Sequence, residues 1–463
     1  MTEAVHSLKN GDSRCEKRVI WRPQPKQADF MRRLEDEALY GGAAGGGKSD
    51  CALAEALRQV NIPHYRGLVL RKTYPQLSEL IDRSFSIYSQ AFPNAVFNES
   101  KHFWRFPSGA KIYFGSLAHT DDRYNYQGKR YDFIDFDELT QFTFDEYSYL
   151  FSRNRPSGAG TRCYMRAQAN PGGIGHGWVK ERFVTPAPPM TTIWETVKIR
   201  FPDGREEERR KSRIFVPSTV FDNKILLQND PEYLTRLASL PEAERAALLY
   251  GDWDIFEGQY FEEFNRDIHV CAPFDIPKEW RRYIAIDYGL DMLAAYWIAV
   301  DNNNKCYVYR EYCSPDLPIS AAAEAINSFT SNDEKIYAVL APPDLWNRSQ
   351  ETGKSKATLF YEAGLSLTKS NNDREAGWLA IKELLRVDKN DEHRLNIFPT
   401  CTKLIKHLPE LLRDPKHPTD TLNEPHEITH SPDALRYFAI YWVSPARPES
   451  IKRVRYRQDQ LED

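Results

Sequence analysis

The sequence predicts an α/β protein with two domains, each built on a sheet whose strands alternate with helices. The chain has 463 residues, which is too long for one ordinary hydrophobic core, so two domains are expected. From about residue 20 to 220, short apolar runs alternate with helical stretches, and this alternation indicates a parallel sheet. A second alternation begins near residue 280, after a stretch with helical patterning.

The predicted strands of the first domain are short apolar runs. They are EALY (37–40), GLVL (67–70), AKIYF (110–114), YDFIDF (131–136), TRCYMRAQA (161–169) and RIFVP (213–217). The stretch 222–250 then has leucines at helical spacing and prolines where helices begin, so we interpret it as a small helical linker.

The second domain is predicted to open with three successive strands. These are RYIAIDYG, LAAYWIAVD and KCYVYREY, and the turn DNNNK (301–305) joins the last two. The helical runs ISAAAEAINSF, REAGWLAIKELLRV and TKLIKHLPELL then alternate with the strands KIYAVLA and RLNIF. A second α/β domain is therefore expected.

The composition is that of a soluble globular protein. Hydrophobic residues make up 41% and charged residues 28%, which excludes a disordered or membrane-embedded chain. Seven scattered cysteines without a C-x-x-C pair favour a reduced, cytosolic compartment. The first residues lack the apolar core of a signal peptide, and no run approaches the ~18 apolar residues of a membrane span, so no membrane partner is expected. The net charge of −4 leaves a nucleic-acid partner possible, because local basic grooves matter more than the total.

The stretch GGAAGGGKSD (41–50) has the spacing of a phosphate-binding loop. Gly42 is followed, after four residues, by Gly47, Lys48 and Ser49, and the loop lies between a predicted strand and a predicted helix. Glycines, here including Gly45 and Gly46, let backbone N–H groups point at phosphate oxygens; the lysine then reaches the β and γ phosphates and the hydroxyl holds Mg²⁺. ATP and Mg²⁺ are therefore the predicted ligands; the alternative is a loose glycine turn with a chance lysine.

Two acids end the apolar strand YDFIDF. Asp137 is predicted to bind the Mg²⁺ shell, and Glu138 to activate water for attack on the γ-phosphate. A solvated strand end is the alternative, which the phosphate loop about ninety residues earlier disfavours.

Two weaker features belong to the same predicted site. Gln27 lies upstream of the loop, where its amide can read the edge of adenine; the alternative is a polar cap on a helix. Asn170 ends the strand in QANPGG, where it can sense the γ-phosphate; the alternative is a plain N-P turn.

Three aspartates of the second domain form a second predicted site. Asp287 ends the strand IAID, Asp344 follows the strand IYAVLA, and Asp433 stands at the start of the last helix. Carboxylates that meet at one sheet edge can hold two Mg²⁺ or Mn²⁺ ions about 3.5–4 Å apart on a phosphodiester. No histidine or thiol ligand set is expected to compete. Each aspartate alone is as easily a helix or strand cap, but their order and context favour a ribonuclease H-like fold.

With both sites in view, the chain resembles the large terminase subunit of tailed bacteriophages over residues 20 to 445. The motifs that carry the resemblance occur in the family's order. They are GGAAGGGKS, LVLRKTYPQL, YQGKRYDFIDFDELTQF, QANPGG, LLYGDWDIFEGQYF, IAIDYG and SPDALRY.

The resemblance implies an N-terminal RecA-like (ASCE) phosphate-loop ATPase domain and a C-terminal ribonuclease H-like nuclease domain. The expected division is a flexible N-terminus (1–19), the ATPase domain (20–220), a helical linker (221–264), the nuclease domain (265–445) and a charged tail (446–463). ATP hydrolysis is then expected to drive double-stranded viral DNA into the procapsid, while the two-metal endonuclease cuts concatemeric DNA to start and end packaging.

The resemblance also implies partners and residue roles. The partners are the portal protein, a small terminase subunit and further copies of the chain in a ring, expected to be a pentamer, in the host cytoplasm on the procapsid but not in the mature virion. Lys48 and Ser49 are expected to bind phosphate and Mg²⁺, Asp137 to bind Mg²⁺, and Glu138 to be the catalytic base, with Asn170 in the coupling motif. Asp287, Asp344 and Asp433 become the nuclease metal ligands.

The chain departs from the family pattern in places. Ala341, Pro342 and Pro343 intervene before Asp344, and His430 and Ser431 stand near Asp433 where the family commonly has another acid. A motor ring also needs an arginine donated by a neighbouring subunit to stabilise charge on the γ-phosphate. Arg123 is the candidate for this arginine, with Arg71 and Arg130 as rivals and a solvent or DNA contact as the alternative for each.

Two other functions use part of the same sequence evidence. A helicase or other nucleic-acid-stimulated ATPase needs Lys48, Asp137 and Glu138 but not the nuclease aspartates. A non-enzymatic assembly scaffold with a vestigial nucleotide site needs none of them intact.

Overall fold

The computed structural model describes residues 4–8, 16–254, 258–289, 291–351, 353–389 and 392–443. The chain forms two compact units, Met1–Tyr260 and Phe261–Asp463. The predicted tail 446–463 lies outside the described residues, as do residues 1–3 and 9–15 of the predicted flexible N-terminus. The described part of that N-terminus contains strand β1 (Ala4–Leu8), which pairs antiparallel with β2 (Glu16–Trp21).

The first unit is built on a nine-stranded sheet. Its strands are β3 (Glu37–Gly42), β4 (Arg66–Arg71), β5 (Val96–Asn98), β6 (Phe103–Arg105), β7 (Lys111–Ser116), β8 (Phe133–Phe136), β9 (Tyr164–Ala169), β10 (Ile193–Arg200) and β11 (Glu206–Ser218). Their order is β10-β11-β3-β9-β8-β4-β7-β6-β5, and all pairings from β11 to β7 are parallel. The carboxyl ends of β3, β9, β8 and β4 therefore meet at one edge.

Helices cover both faces of this sheet, which is why its central strands are apolar throughout. They are α1 (Pro25–Met31), α2 (Lys48–Ala56), α3 (Tyr74–Ala91), α4 (Phe144–Tyr149), α5 (His176–Val179), α6 (Lys224–Asn229), α7 (Glu232–Ala238) and α8 (Glu242–Arg245). Successive residues of β4 belong to opposite layers: Val69 packs with Leu53 and Leu80, and Leu68 packs with Leu139 and Phe142.

The segment predicted as a linker is helical and packs on the glycine loop. Val220, Leu237 and Leu249 form its small core, and Ala44 of the loop packs against it. Backbone contacts join the two segments as well, because the Ala44 N–H donates to the Leu248 carbonyl at 2.8 Å. The loop and the helical segment thus share one apolar cluster.

The second unit contains a six-stranded sheet. Its strands are β12 (Arg281–Tyr288), β13 (Leu293–Val300), β14 (Cys306–Ser314), β15 (Ile336–Ala341), β16 (Thr368–Lys369) and β17 (Leu395–Ile397), in the order β16-β15-β12-β13-β14-β17. The pairings β12–β13 and β13–β14 are antiparallel, whereas β12–β15, β15–β16 and β14–β17 are parallel. The turn at 301–305 joins β13 and β14, as predicted.

The helices of the second unit include a long C-terminal helix over the sheet. They are α9 (Arg266–His269), α10 (Ile319–Phe329), α11 (Lys356–Glu362), α12 (Arg374–Leu385), α13 (Thr402–Glu410) and α14 (His430–Val443). Single turns of 3₁₀ or π helix occur in both units, at Leu57–Gln59, Thr120–Tyr126, Leu139–Gln141, Leu150–Arg153, Lys180–Val184, Val220–Asp222, Ala246–Tyr250, Pro343–Trp346 and His426–Ile428. The start of α14 lies near the end of β12, which brings Asp433 towards Asp287. No helix in the described ranges is long and apolar enough to cross a bilayer.

Candidate nucleotide and metal sites

The glycine loop connects β3 to α2, and its backbone conformation needs glycine. Gly45 and Gly47 have φ values of 72° and 74°, in the left-handed region that side chains disfavour. Gly46 is needed for space, because a Cβ atom there would lie 2.4 Å from the Ser218 Oγ. The alternative of a loose turn is therefore wrong: this loop has a fixed shape.

Side chains hold the carbonyls of the loop. Tyr40 donates to the Gly46 carbonyl at 3.0 Å, and Gln27 donates to the Gly47 carbonyl at 2.7 Å. Asn223 donates to the Gly45 carbonyl at 2.7 Å. Within the described part of the chain, the N–H groups of these three glycines have no protein acceptor, which is the arrangement that a phosphate needs.

Gln27 supports the loop and also caps a helix. Its Oε1 accepts from the Gln24 N–H at 2.8 Å while its amide nitrogen contacts the loop. Both the predicted position beside the loop and the alternative cap are therefore found. A contact between Gln27 and adenine stays a prediction.

Three predicted residues from three different segments form one hydrogen-bonded chain. Lys48 Nζ donates to Asn170 Oδ1 at 2.6 Å and to the Ala43 carbonyl at 2.6 Å, and Asn170 Nδ2 donates to Glu138 Oε1 at 3.3 Å. They meet because β3, β9 and β8 are adjacent parallel strands. Burial lowers the pKa of Lys48, although the charges of Glu138 and Asp137 oppose this shift.

Asp137 is buried beside this chain and is paired with Arg71. Both Nε and Nη2 of Arg71 lie 2.7 Å from Asp137 Oδ2. The other oxygen, Oδ1, is buried without a hydrogen-bond partner. Burial raises the pKa of Asp137, while Arg71 favours the ionised form. A buried carboxylate oxygen without a partner fits a metal ligand, since such an atom is costly unless a ligand satisfies it.

Glu138 adopts an unusual backbone conformation. Its φ is 57°, in the left-handed region, directly after β8. Non-glycine residues in this region cost about 1–3 kcal/mol and concentrate at functional sites. The conformation turns the chain at the strand end and places the Glu138 carboxylate within reach of Asn170.

The three candidate arginines lie in different surroundings. Arg71 is part of its own subunit's site. Arg123 pairs with Asp145 at 3.2 Å and lies over the rings of Tyr124 and Tyr149. Arg130 is exposed. The contact of Arg71 with Asp137 was not foreseen, because only its position after a strand was visible in the sequence.

In the second unit, Asp287 is bonded to a histidine. Its Oδ2 lies 2.8 Å from His430 Nδ1, and His430 Nε2 lies 3.0 Å from Asp291 Oδ2. His426 Nδ1 is also 3.0 Å from that Asp291 oxygen. The expectation that no histidine ligand set competes with the aspartates is therefore wrong, because loop and helix residues distant in sequence from Asp287 converge on it.

Asp433 lies in the first turn of α14 and is neutralised by arginines. Arg436 donates to its Oδ1 at 2.7 Å, and an Arg374 nitrogen lies 3.8 Å from its Oδ2. Burial raises the pKa of Asp287, and the neighbouring Asp433 charge adds to this. Asp344 is exposed on the 3₁₀ turn after β15.

The buried Tyr437 lies among the three aspartates. Burial raises the pKa of its phenol, and the charges of Asp287, Asp433 and Asp344 raise it further. All three carboxylates therefore lie within electrostatic range of one side chain. The sequence offered one clue to the neighbouring histidines: His426 and His430 are four residues apart, a spacing that places two side chains on the same side of a helical turn.

The loop, the lysine and the acidic strand end on a parallel sheet define the first unit as a phosphate-loop α/β domain. The family model described as terminase large subunit, T4-like-virus type, N-terminal, matches residues 39–268. Through these residues the chain belongs to the large terminase subunits, so the resemblance is confirmed. Membership supports a DNA-packaging ATPase role. No curated protein matches the chain.

Several solved phage terminases are similar to the chain at low identity. The large terminase of bacteriophage HK97 is 12% identical over 91% of this chain and 95% of that one, with a TM-score of 0.45. The large terminase of a thermophilic bacteriophage is 16% identical over 90% and 98%, with a TM-score of 0.40. The ATPase domain of the Thermus phage P74-26 large terminase is 16% identical over 50% and 94%, with a TM-score of 0.37.

Proposed function

We propose that the first unit binds and hydrolyses ATP. The observation that carries the proposal is the hydrogen-bonded chain from Lys48 through Asn170 to Glu138. It joins the group that contacts phosphate to the group that activates water, so a change at either end alters the bonding of the other. Asn170 is then the residue that reports the state of the γ-phosphate to the base.

Mg²⁺ fits this site through Ser49 and the free Oδ1 of Asp137. When bound with ATP, Mg²⁺ neutralises charge on the β- and γ-phosphate oxygens. Lys48 supplies a buried positive charge to the phosphates, and the loop N–H groups donate to them. Glu138 accepts the proton of the attacking water.

The test separates binding from turnover. Glu138→Ala is expected to bind fluorescent ATP with near wild-type affinity and to lose phosphate release, because only the base is missing. Lys48→Ala should impair both, and Glu99→Ala, which alters an exposed glutamate of the same unit, should impair neither. Near wild-type turnover by Glu138→Ala would contradict the assignment of the base, and binding without any turnover by the wild type would favour the scaffold alternative.

We also propose that the second unit is a ribonuclease H-like, metal-dependent DNA endonuclease. The strand order β14-β13-β12-β15-β16, antiparallel and then parallel, supports this fold. Asp287, Asp344 and Asp433 surround Tyr437 at the end of β12 and offer the oxygen ligands that Mg²⁺ or Mn²⁺ prefers. Two such ions, when bound, stabilise the attacking and leaving oxygens of a phosphodiester.

Cutting is tested on supercoiled plasmid with the full chain. Asp287→Asn and Asp433→Asn should each lose Mg²⁺- or Mn²⁺-dependent nicking while ATP turnover survives, and Asp275→Asn, at an exposed position, should retain both. Nicking that persists in Asp287→Asn would place the nuclease site elsewhere. Absence of nicking in the wild type, with DNA-stimulated ATP turnover, would favour the helicase alternative.

Together these activities support a role in packaging double-stranded viral DNA. In this proposal the chain works in the host cytoplasm as a ring on the portal of the procapsid, with a small terminase subunit that selects the DNA. ATP turnover that rises when portal-bearing procapsids and DNA are added together, more than with either alone, is the expected result. An unchanged rate would argue against the portal as partner.

A further inference from the structure

We propose that Asp291, His426 and His430 form a binding site for a divalent transition-metal ion of the Zn²⁺ class. The three residues come from the turn between β12 and β13, the 3₁₀ turn His426–Ile428 and the first residue of α14. Their ligand atoms all lie within 4.8 Å of one another. The site does not depend on the nuclease proposal.

A single oxygen is the centre of this cluster. Asp291 Oδ2 lies 3.0 Å from His426 Nδ1 and 3.0 Å from His430 Nε2. In a tetrahedral Zn²⁺ site with ligand distances of about 2.0–2.1 Å, neighbouring ligand atoms are about 3.3 Å apart. A shift of a few tenths of an ångström would therefore admit the ion. The side chains of His426 and Asp291 are 64% and 54% exposed, and exposed ion pairs contribute little stability, so ion pairing alone gives little reason for two imidazoles to share one oxygen.

The surroundings of His430 provide a second, independent observation. Its other ring nitrogen, Nδ1, lies 2.8 Å from Asp287 Oδ2, and its side chain is only 7% exposed. Metal-binding histidines almost always donate their second N–H to a carboxylate in this manner, which fixes the tautomer and directs the free lone pair at the ion. A neutral imidazole has one N–H for two facing carboxylates, and an ion between Nε2 and Asp291 resolves this conflict.

The ligand types select the kind of metal. Two imidazole nitrogens and one carboxylate favour Zn²⁺ and similar first-row ions over Mg²⁺, which prefers oxygen ligands. Three protein ligands leave a fourth position open, and the exposure of His426 and Asp291 turns that position towards solvent. The aspartates proposed for cutting are a different, all-oxygen set, joined to this one through the Asp287–His430 hydrogen bond.

The experiment measures metal binding by the full chain in millimolar Mg²⁺, which saturates oxygen-only sites. Metal-free protein is titrated with Zn²⁺ against a chromogenic chelator. One Zn²⁺ per chain is expected for the wild type, and at least tenfold weaker binding for His426→Ala and Asp291→Asn. His417→Ala, which removes an exposed histidine of the same unit, should bind as the wild type does, and so should Asp433→Asn.

Several results would overturn the proposal. These are no Zn²⁺ bound by the wild type, equal affinity in His426→Ala, or binding that is lost in Asp433→Asn but kept in His426→Ala, which would place the ion on the nuclease carboxylates. Thermal unfolding of each metal-free variant shows whether it is folded. Co²⁺ substitution gives an independent readout, since the visible absorption of a four-coordinate site should appear in the wild type and vanish in His426→Ala.

Discussion

The pairing of Arg71 with Asp137 predicts a large and specific loss of stability when it is broken. Arg71→Ala leaves a carboxylate that is 1% exposed without its cation, next to Glu138. Removing one partner of a buried ion pair costs about 3–5 kcal/mol. Lys48 still contributes positive charge, and Arg71 itself is 15% exposed, so we expect about 3 kcal/mol, the lower end of that range.

A double-mutant cycle isolates the pair. Arg71→Ala, Asp137→Asn and the double variant are compared by native-state hydrogen exchange of the β8 amides, which report opening of the first unit. Because Asp137→Asn removes the charge that Arg71 compensates, the two changes should be non-additive by about 1–3 kcal/mol. Additive effects, or an Arg71→Ala chain as stable as the wild type, would show that Arg71 does not hold Asp137. That outcome would restore Arg71 as a rival for the trans-acting arginine.

Three further predictions concern neighbouring features. If Arg123 acts on a neighbour's site, doping Arg123→Ala into wild-type rings should depress ATP turnover more than in proportion, since a trans-acting arginine can be worth roughly 10³–10⁵ in rate; a linear loss would place its action in its own subunit. Burial lowers the pKa of His176 from 6.5 to about 3; the unfolded chain therefore binds the proton first, and stability that is complete above pH 6.5 falls as the pH drops towards 3. At about 1.4 kcal/mol per pH unit, roughly 2 kcal/mol should be lost between pH 7 and 5 in thermal unfolding, and His176→Gln but not His417→Gln should remove this dependence. Gly46→Ala should weaken ATP binding at least tenfold in a fluorescence titration, because its Cβ would lie 2.4 Å from the Ser218 Oγ; adding Ser218→Ala should restore part of the affinity, and no restoration would show that the clash is not the cause.

Local chemistry made the nucleotide site predictable from sequence. Lys48 and Glu138 follow strands that read clearly as apolar runs, and adjacent parallel strands bring their ends together whatever the loops do. The bond between Arg71 and Asp137 joins residues 66 positions apart, and nothing in the local pattern of either residue indicates it. Such contacts depend on which strands are neighbours, and the order β9-β8-β4 is a property of the whole sheet.

Elements without a two-residue apolar alternation were also missed. Strand β10 is mostly exposed and carries charged residues, so IWETVKIR does not read as a buried strand, and β5 and β6 have only three residues each. In the second unit, the sequence identified Asp287 but not its neighbours, because Asp291 lies in a turn and His426 and His430 come more than 130 residues later. Their convergence depends on α14 packing over β12.

The shared hydrogen bonds between the glycine loop and the helical segment give the loop a mechanical role. The Gly45 carbonyl is held by Asn223, and the Ala44 N–H is held by the Leu248 carbonyl. Any rearrangement of the loop around a phosphate must therefore stretch these bonds or pull residues 223 and 248 with it. A displacement of about 1 Å, too small to alter the sheet, is enough to break a hydrogen bond of 2.8 Å. The helical segment behaves as a lever whose short arm is the loop itself, and it converts the presence of a single phosphate group into movement of the chain that follows.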